Sequence, residues 1–223
     1  MKIIAANWKM NGDFEFTDRF VREINSVAPK NVIVICPPAI LIGKFRDFRH
    51  QIGAQNCFWK ESGAFTGENS PRLLREAGCR YVILGHSERR SIFHETDDII
   101  FEKYKAAAAN DLIPIICVGE KDPKNREEVL ERQLAPFLKE PLRKAIFAYE
   151  PVWSIGTGIT PTRDETEFAL EFLRNRVGDV PLLYGGSVNG ENAAGISQYK
   201  NADGLLVGGA GLKIEEFKKI ILI

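Results

Sequence analysis

The sequence predicts an α/β protein, a (β/α)8 barrel in a single domain, and three observations carry that prediction. Short β-branched runs recur eight times, the stretches between them mostly read as helix, and the runs are almost continuously apolar. Strands of that kind are covered on both faces, which calls for parallel neighbours joined by helical crossovers. Eight strand–helix units in 223 residues sit at the small end of the range for such a barrel. A doubly wound sheet is the alternative that alternation alone leaves open.

The strand candidates, in order, are "KIIAANW", "NVIVIC", "QIGAQNC", "RYVILG", "LIPIICVG", "KAIFAYE", "VPLLYGG" and "ADGLLVGG". Helices are predicted over Phe14 to Val27, Asp97 to Ala109, Arg126 to Leu138 and Arg163 to Val177. Thr96 precedes Asp97 and Asp98, and Thr162 precedes Asp164 and Glu165. Each threonine suits an N-cap, with acids in the first turn facing the positive end of the helix. One connection is long and irregular, "FWKESGAFTGENSP" over residues 58–71. Loops of that length are usually functional or interaction arms.

Bulk composition excludes several classes. Lys+Arg and Asp+Glu both count 30, so the formal net charge is zero. A balanced chain gives no support to nucleic-acid binding or to polybasic membrane binding, and any phosphate must be held by local geometry. The cysteines Cys36, Cys57, Cys79 and Cys117 have neither C-x-x-C spacing nor a nearby His at metal-ligand spacing. They read as reduced thiols. The run in "MKIIAANWKMNG" is too short for a signal peptide or membrane span, so a cytoplasmic protein is expected.

In such a barrel the chemistry lies at the C-terminal ends of the strands. The first strand ends in Asn7-Trp8-Lys9. Alternation places Ala5, Asn7 and Lys9 on one face and Trp8 toward the helices. An inward lysine is costly without an anionic partner, whereas a strand that stops at Asn7 leaves Lys9 solvated. The fourth strand ends in "GHSERRSIF", where His86 opens a helical turn. A helix N-terminus disfavours the imidazolium and keeps the histidine pKa low. His50 and His94 lack that setting and read as surface residues. Glu88 reads as a surface ion unless it meets Lys9. The sixth strand ends in Glu150, followed by Pro151, which removes a backbone donor and restricts Glu150 itself. Gly185-Gly186 and Gly208-Gly209 close the last two strands. Glycines there let a ligand approach the backbone, and their amides suit an anion.

The segments "ANWKMN", "AQNCFWKESGAFTGE", "ILGHSERR", "PIICVGE", "AYEPVWSIGTG", "YGGSV" and "DGLLVGGAGL" together resemble the triosephosphate isomerase family. They follow the family's order from residue 5 to about residue 213. The resemblance implies a TIM-barrel fold and interconversion of dihydroxyacetone phosphate and D-glyceraldehyde 3-phosphate, in glycolysis and gluconeogenesis. No metal and no cofactor is implied. A non-catalytic oligomeric phosphate-binding barrel is the alternative, and it would be expected to have lost Lys9, His86 or Glu150.

By the same resemblance Glu150 is the base, His86 the neutral electrophile, and Asn7 and Lys9 meet the developing charge. Glu88 helps organise Lys9. Gly156, Ser187, Gly208 and Gly209 match positions that bind the substrate phosphate through amides. Residues 151–161 match a mobile lid, with Pro151, Val152 and Trp153 as its first hinge and Ser154, Ile155, Gly156, Thr157 and Gly158 following. Residues 57–71 match an arm that enters a neighbouring subunit, with Phe65, Thr66 and Gly67 at its tip. A homo-oligomer, a homodimer in the first instance, is implied. Thr66 of one subunit would brace Asn7 and Lys9 of the other. The chain departs from the family at Ser154, where alanine is usual, at Ile159-Thr160-Pro161 in the second hinge, and at Gly211, where serine is common.

Overall fold

In the computed structural model, which describes residues 1–139, 141–142, 144–155 and 160–223, eight parallel strands close on themselves in sequence order. They are β1 Ile3–Asn7, β2 Val32–Cys36, β3 Gln51–Ala54, β4 Tyr81–Leu84, β5 Ile113–Val118, β6 Ile146–Tyr149, β7 Leu182–Tyr184 and β8 Gly204–Val207. Closure is made by β1 against β8, with Ile3 opposite Gly204. A Cβ at Gly204 would lie 1.9 Å from the Ile3 carbonyl oxygen, so glycine is required at that seam. The (β/α)8 barrel is therefore the fold, and the doubly wound alternative is excluded.

The apolar strands divide into two packed layers. Ala5, Val34, Cys36, Ile83, Ile115, Cys117, Ala148, Leu183 and Leu206 fill the barrel interior. Their chain neighbours, such as Ile4, Ile35, Val82, Ile116 and Phe147, face outward beneath the helices. Both sets are buried, and that is why the runs show no polar alternation. Trp8 faces the helices as expected, its ring 4.8 Å from Phe20 and 5.6 Å from Phe45.

The helices are α1 Phe14–Asn25, α2 Pro71–Glu76, α3 Ser87–Ile92, α4 Asp97–Ala109, α5 Arg126–Leu134, α6 Arg163–Val177, α7 Ala193–Ile196 and α8 Ile214–Ile221. The crossover after β2 is a 3-10 helix, Ala39–Phe45. Thr96 and Thr162 are the N-caps of α4 and α6, and Thr162 with Glu165 forms a full capping box. Two helices are shorter than their apolar pattern. α1 stops at Asn25, and α5 stops at Leu134 and resumes as a 3-10 turn over Phe137–Lys139. His50 is half-buried against Phe48 rather than a free surface residue, while His94 is exposed. Among the described residues no helix is long and apolar enough to cross a membrane.

Gly211 has a local explanation. A Cβ there would lie 2.8 Å from the Ala6 Cβ, so the Ala6 methyl occupies the space a side chain at 211 would need. Gly211→Ser alone should cost about 1–3 kcal/mol in denaturant unfolding through overpacking. Ala6→Gly in the same chain should return part of that loss as a coupling energy. Additive single-site effects would contradict the contact.

Candidate active site

The C-terminal strand ends bring Asn7, Lys9, His86, Glu150, Ser187, Gly208 and Gly209 to one cavity of about 290 Å³. Ile155, after the Val152–Ser154 turn, also lines it. Gly156, Thr157 and Gly158 lie outside the described residues, as does Ile159. Phe65, Thr66 and Gly67 are exposed in the connection between β3 and α2.

Glu150 follows β6 directly and is only 2% exposed. Its Oε2 accepts the backbone N–H of Ser87 at 3.0 Å, and its Oε1 lies 3.0 Å from His86 Nε2. A buried carboxylate needs donors of this kind to offset lost hydration. His86 is the N-cap of α3, with its Nδ1 accepting the Glu88 N–H at 3.2 Å. That bond places the neutral ring's proton on Nε2, the nitrogen facing Glu150 and the cavity.

The low histidine pKa expected from the helix terminus is corrected here. Burial does oppose the imidazolium, but the charge of Glu150, its hydrogen bond and the charge of Glu88 outweigh it and raise the pKa above the ordinary value. The sequence places His86 at a helix start but does not reveal a carboxylate 3.0 Å from its ring.

Lys9 lies beyond the end of β1 in a left-handed conformation, φ 53°, which costs a non-glycine residue and must be held by its neighbours. Its N–H donates to Asn7 Oδ1 at 3.0 Å, and its carbonyl accepts Gln55 Nε2 at 2.7 Å. Its ammonium pairs with Glu88 Oε1 at 2.7 Å. Lys9 is thus neither inward and alone nor simply solvated, and Glu88 completes the charge pair. The turn at Lys9 sends the side chain across to α3, an arrangement strand alternation cannot foresee.

Gly208 and Gly209 differ from the other strand-end glycines. A Cβ on either would meet no atom of the other described residues within 4 Å. The fold's packing does not demand glycine there, and both residues border the cavity, so the open space suits a ligand against the backbone. By contrast a Cβ on Gly185 would lie 3.1 Å from Glu150 Cγ, and one on Gly119 would lie 1.7 Å from the Glu150 carbonyl oxygen. These two glycines make room for Glu150.

Glu120 is the functional candidate that sequence reasoning missed. It is fully buried, and its Oε1 accepts Tyr149 Oη at 2.9 Å and Trp153 Nε1 at 3.0 Å. Arg126 Nε lies 3.1 Å from the same oxygen, and the Glu120 carbonyl accepts the Val152 N–H. Glu120 therefore ties Val152 and Trp153 to Tyr149, the residue preceding Glu150. The available signal was its position, an acid just past an apolar strand, as in Glu150. Ser154 also explains itself. Its hydroxyl donates to the Pro151 carbonyl at 2.9 Å, and its own carbonyl accepts Ser187 Oγ at 3.4 Å.

Glu150→Gln removes the charge that raises the His86 pKa. An NMR titration of the imidazole nitrogens should then show His86 titrating at lower pH than in the parent chain. An unchanged or higher value would contradict the assigned cause.

The family model described as triosephosphate isomerase matches residues 2–223. The chain is 40% identical to triosephosphate isomerase of Dictyoglomus turgidum, over 99% of this chain and 98% of that one. It is 42% identical to the enzyme of that name from Dehalococcoides mccartyi strain BAV1, over 98% and 94%. It is 38% identical to the one from Legionella pneumophila strain Paris, over 99% and 97%. The order of the matched segments, the closed barrel and these relatives agree, and the chain belongs to the triosephosphate isomerase family.

Proposed function

We propose that this chain interconverts dihydroxyacetone phosphate and D-glyceraldehyde 3-phosphate by proton transfer through an enediolate. Glu150 takes the proton from the carbon next to the carbonyl and returns it to the neighbouring carbon. The electron pair left behind forms the enediolate, whose negative oxygen is met by the His86 Nε2–H and the Lys9 ammonium. A proton passes from the hydroxyl to that oxygen before the second carbon is protonated, so the carbonyl forms at the first. Donors placed in advance where charge develops lower the barrier without reorganising at the moment of reaction. Asn7 orients the substrate and supports Lys9.

The phosphate does no chemistry. The amides of Ser187, Gly208, Gly209 and Gly156 would hold it, and its binding energy would keep the lid of residues 151–161 closed. One observation supports this reading most. A buried carboxylate, an N–H donor 3.0 Å from it and a lysine share one cavity with open glycine backbone.

The same reading makes the protein a homodimer that works in the cytoplasm, in glycolysis and gluconeogenesis. Residues 57–71 would be the arm, with Phe65, Thr66 and Gly67 entering the partner and Thr66 bracing Asn7 and Lys9. Support comes from a second cavity of about 340 Å³ that also borders Lys9 and His86 and is lined by Met10, Gln55, Glu88 and Phe93. Met10 and Phe93 are 94% and 60% exposed, and both border this one cavity, which gathers apolar surface beside it.

An isomerase assay with each triose phosphate should show turnover without added metal. Glu150→Ala should lower kcat by about 10²–10⁴-fold, the scale of one general base, while binding of a phosphorylated inhibitor persists. Near-normal turnover would contradict the assignment of the base. Sedimentation of the full chain should give a dimer, and a fully active monomer would contradict the arm.

A further inference from the structure

We propose that Arg90 is a positioning residue that sets the distance between His86 and Glu150 by clamping the peptide carbonyls at the ends of β4 and β5. This rests on the reading of those two residues as electrophile and base.

The β4–β5 ladder ends at Leu84 opposite Ile116. Gly85 and Cys117 come next, and the Arg90 guanidinium bridges them. Its Nε donates to the Gly85 carbonyl at 2.7 Å, and its Nη2 donates to the Cys117 carbonyl at 3.1 Å. Its Nη1 bonds the Asp97 carboxylate at the start of α4. The side chain is 15% exposed, so water competes little for these bonds.

One clamped peptide leads directly to a reacting group, and the other reaches one through the neighbouring strand. Gly85 immediately precedes His86 and has φ 66°, so the direction of its carbonyl and the aim of His86 are set together. A Cβ at Gly85 would crowd Arg90 Nη2 at 3.0 Å, so glycine also admits the guanidinium. On the other side, Cys117 pairs with Ala148 on β6, and the Glu150 N–H donates to the next carbonyl, that of Val118, at 2.8 Å. The Cys117 thiol also lies against Glu150, and its pKa is pushed up first by burial and then by that carboxylate.

A planar fork can reach two carbonyls and a carboxylate at once, whereas a lysine ammonium cannot span them. Arg90 itself touches neither the carboxylate nor the imidazole, so its effect on the reaction passes through backbone geometry. A displacement near 1 Å between reacting groups can cost on the order of 10²-fold in rate.

The test compares Arg90→Lys and Arg90→Ala in the full chain, well below their unfolding temperatures. The expected result is a kcat lowered by roughly 10²-fold, with KM and competition by inorganic phosphate little changed. Guanidinium ion should partly restore kcat in Arg90→Ala, and the His86 imidazole nitrogen resonances should shift in Arg90→Lys. A variant that melts earlier but keeps the parental kcat would overturn the proposal, as would loss of phosphate binding in step with kcat. Should Arg90→Ala not fold, Arg90→Lys decides, because it keeps the charge beside Asp97. An inactive parent chain would count against the isomerase reading alone. The clamp would then be judged by the His86 resonances, which must shift in Arg90→Lys for it to stand.

Discussion

The contact between Glu150, His86 and the amide of Ser87 sets what the rest of the structure must provide. A carboxylate 2% exposed keeps its charge only if donors replace the water it has lost. Here the donors are the first amide of α3 and the Nε2 face of the ring that caps it. The same six-residue helix also carries Glu88, which holds the Lys9 ammonium. One short helix thus gathers Glu150, His86 and Lys9 from three different strand ends.

The barrel makes this possible by supplying backbone that does not have to move. Glu150 is wedged where Gly119 and Gly185 have no side chains, and Gln133 on α5 clasps both backbone groups of Gly119 at 2.8 and 3.1 Å. On the lid side Glu120 collects Tyr149, Trp153 and Arg126 on one oxygen. Tyr149, which precedes Glu150, and Trp153 therefore share an anchor.

The fold was legible because almost every inward and outward strand position is apolar, a pattern that only a doubly covered parallel sheet explains. The site was legible where chemistry follows directly from chain position, as with Glu150 before a proline and His86 at a helix start. What could not be read depends on groups far apart in sequence. The Lys9 carbonyl is held by Gln55, the charge beside His86 comes from the end of another strand, and Glu120, which gathers Tyr149 and Trp153, looks like any strand-end acid. Gly211 looked like a departure from the family until Ala6 was placed against it. In each case the deciding quantity is a distance of about 3 Å between separate elements, which no local pattern encodes.

The central claim is that a carboxylate base passes a proton through an enediolate between adjacent carbons. It is tested most directly by converting D-glyceraldehyde 3-phosphate in deuterium oxide and following the products by proton NMR. A base that exchanges with solvent while the intermediate is bound must deliver deuterium to carbon in part of the product. The account predicts dihydroxyacetone phosphate carrying deuterium on the carbon that receives the proton, with that signal lost in step with turnover in Glu150→Ala. Product formed rapidly by the parent chain with no deuterium on carbon would point to direct hydride transfer and contradict it.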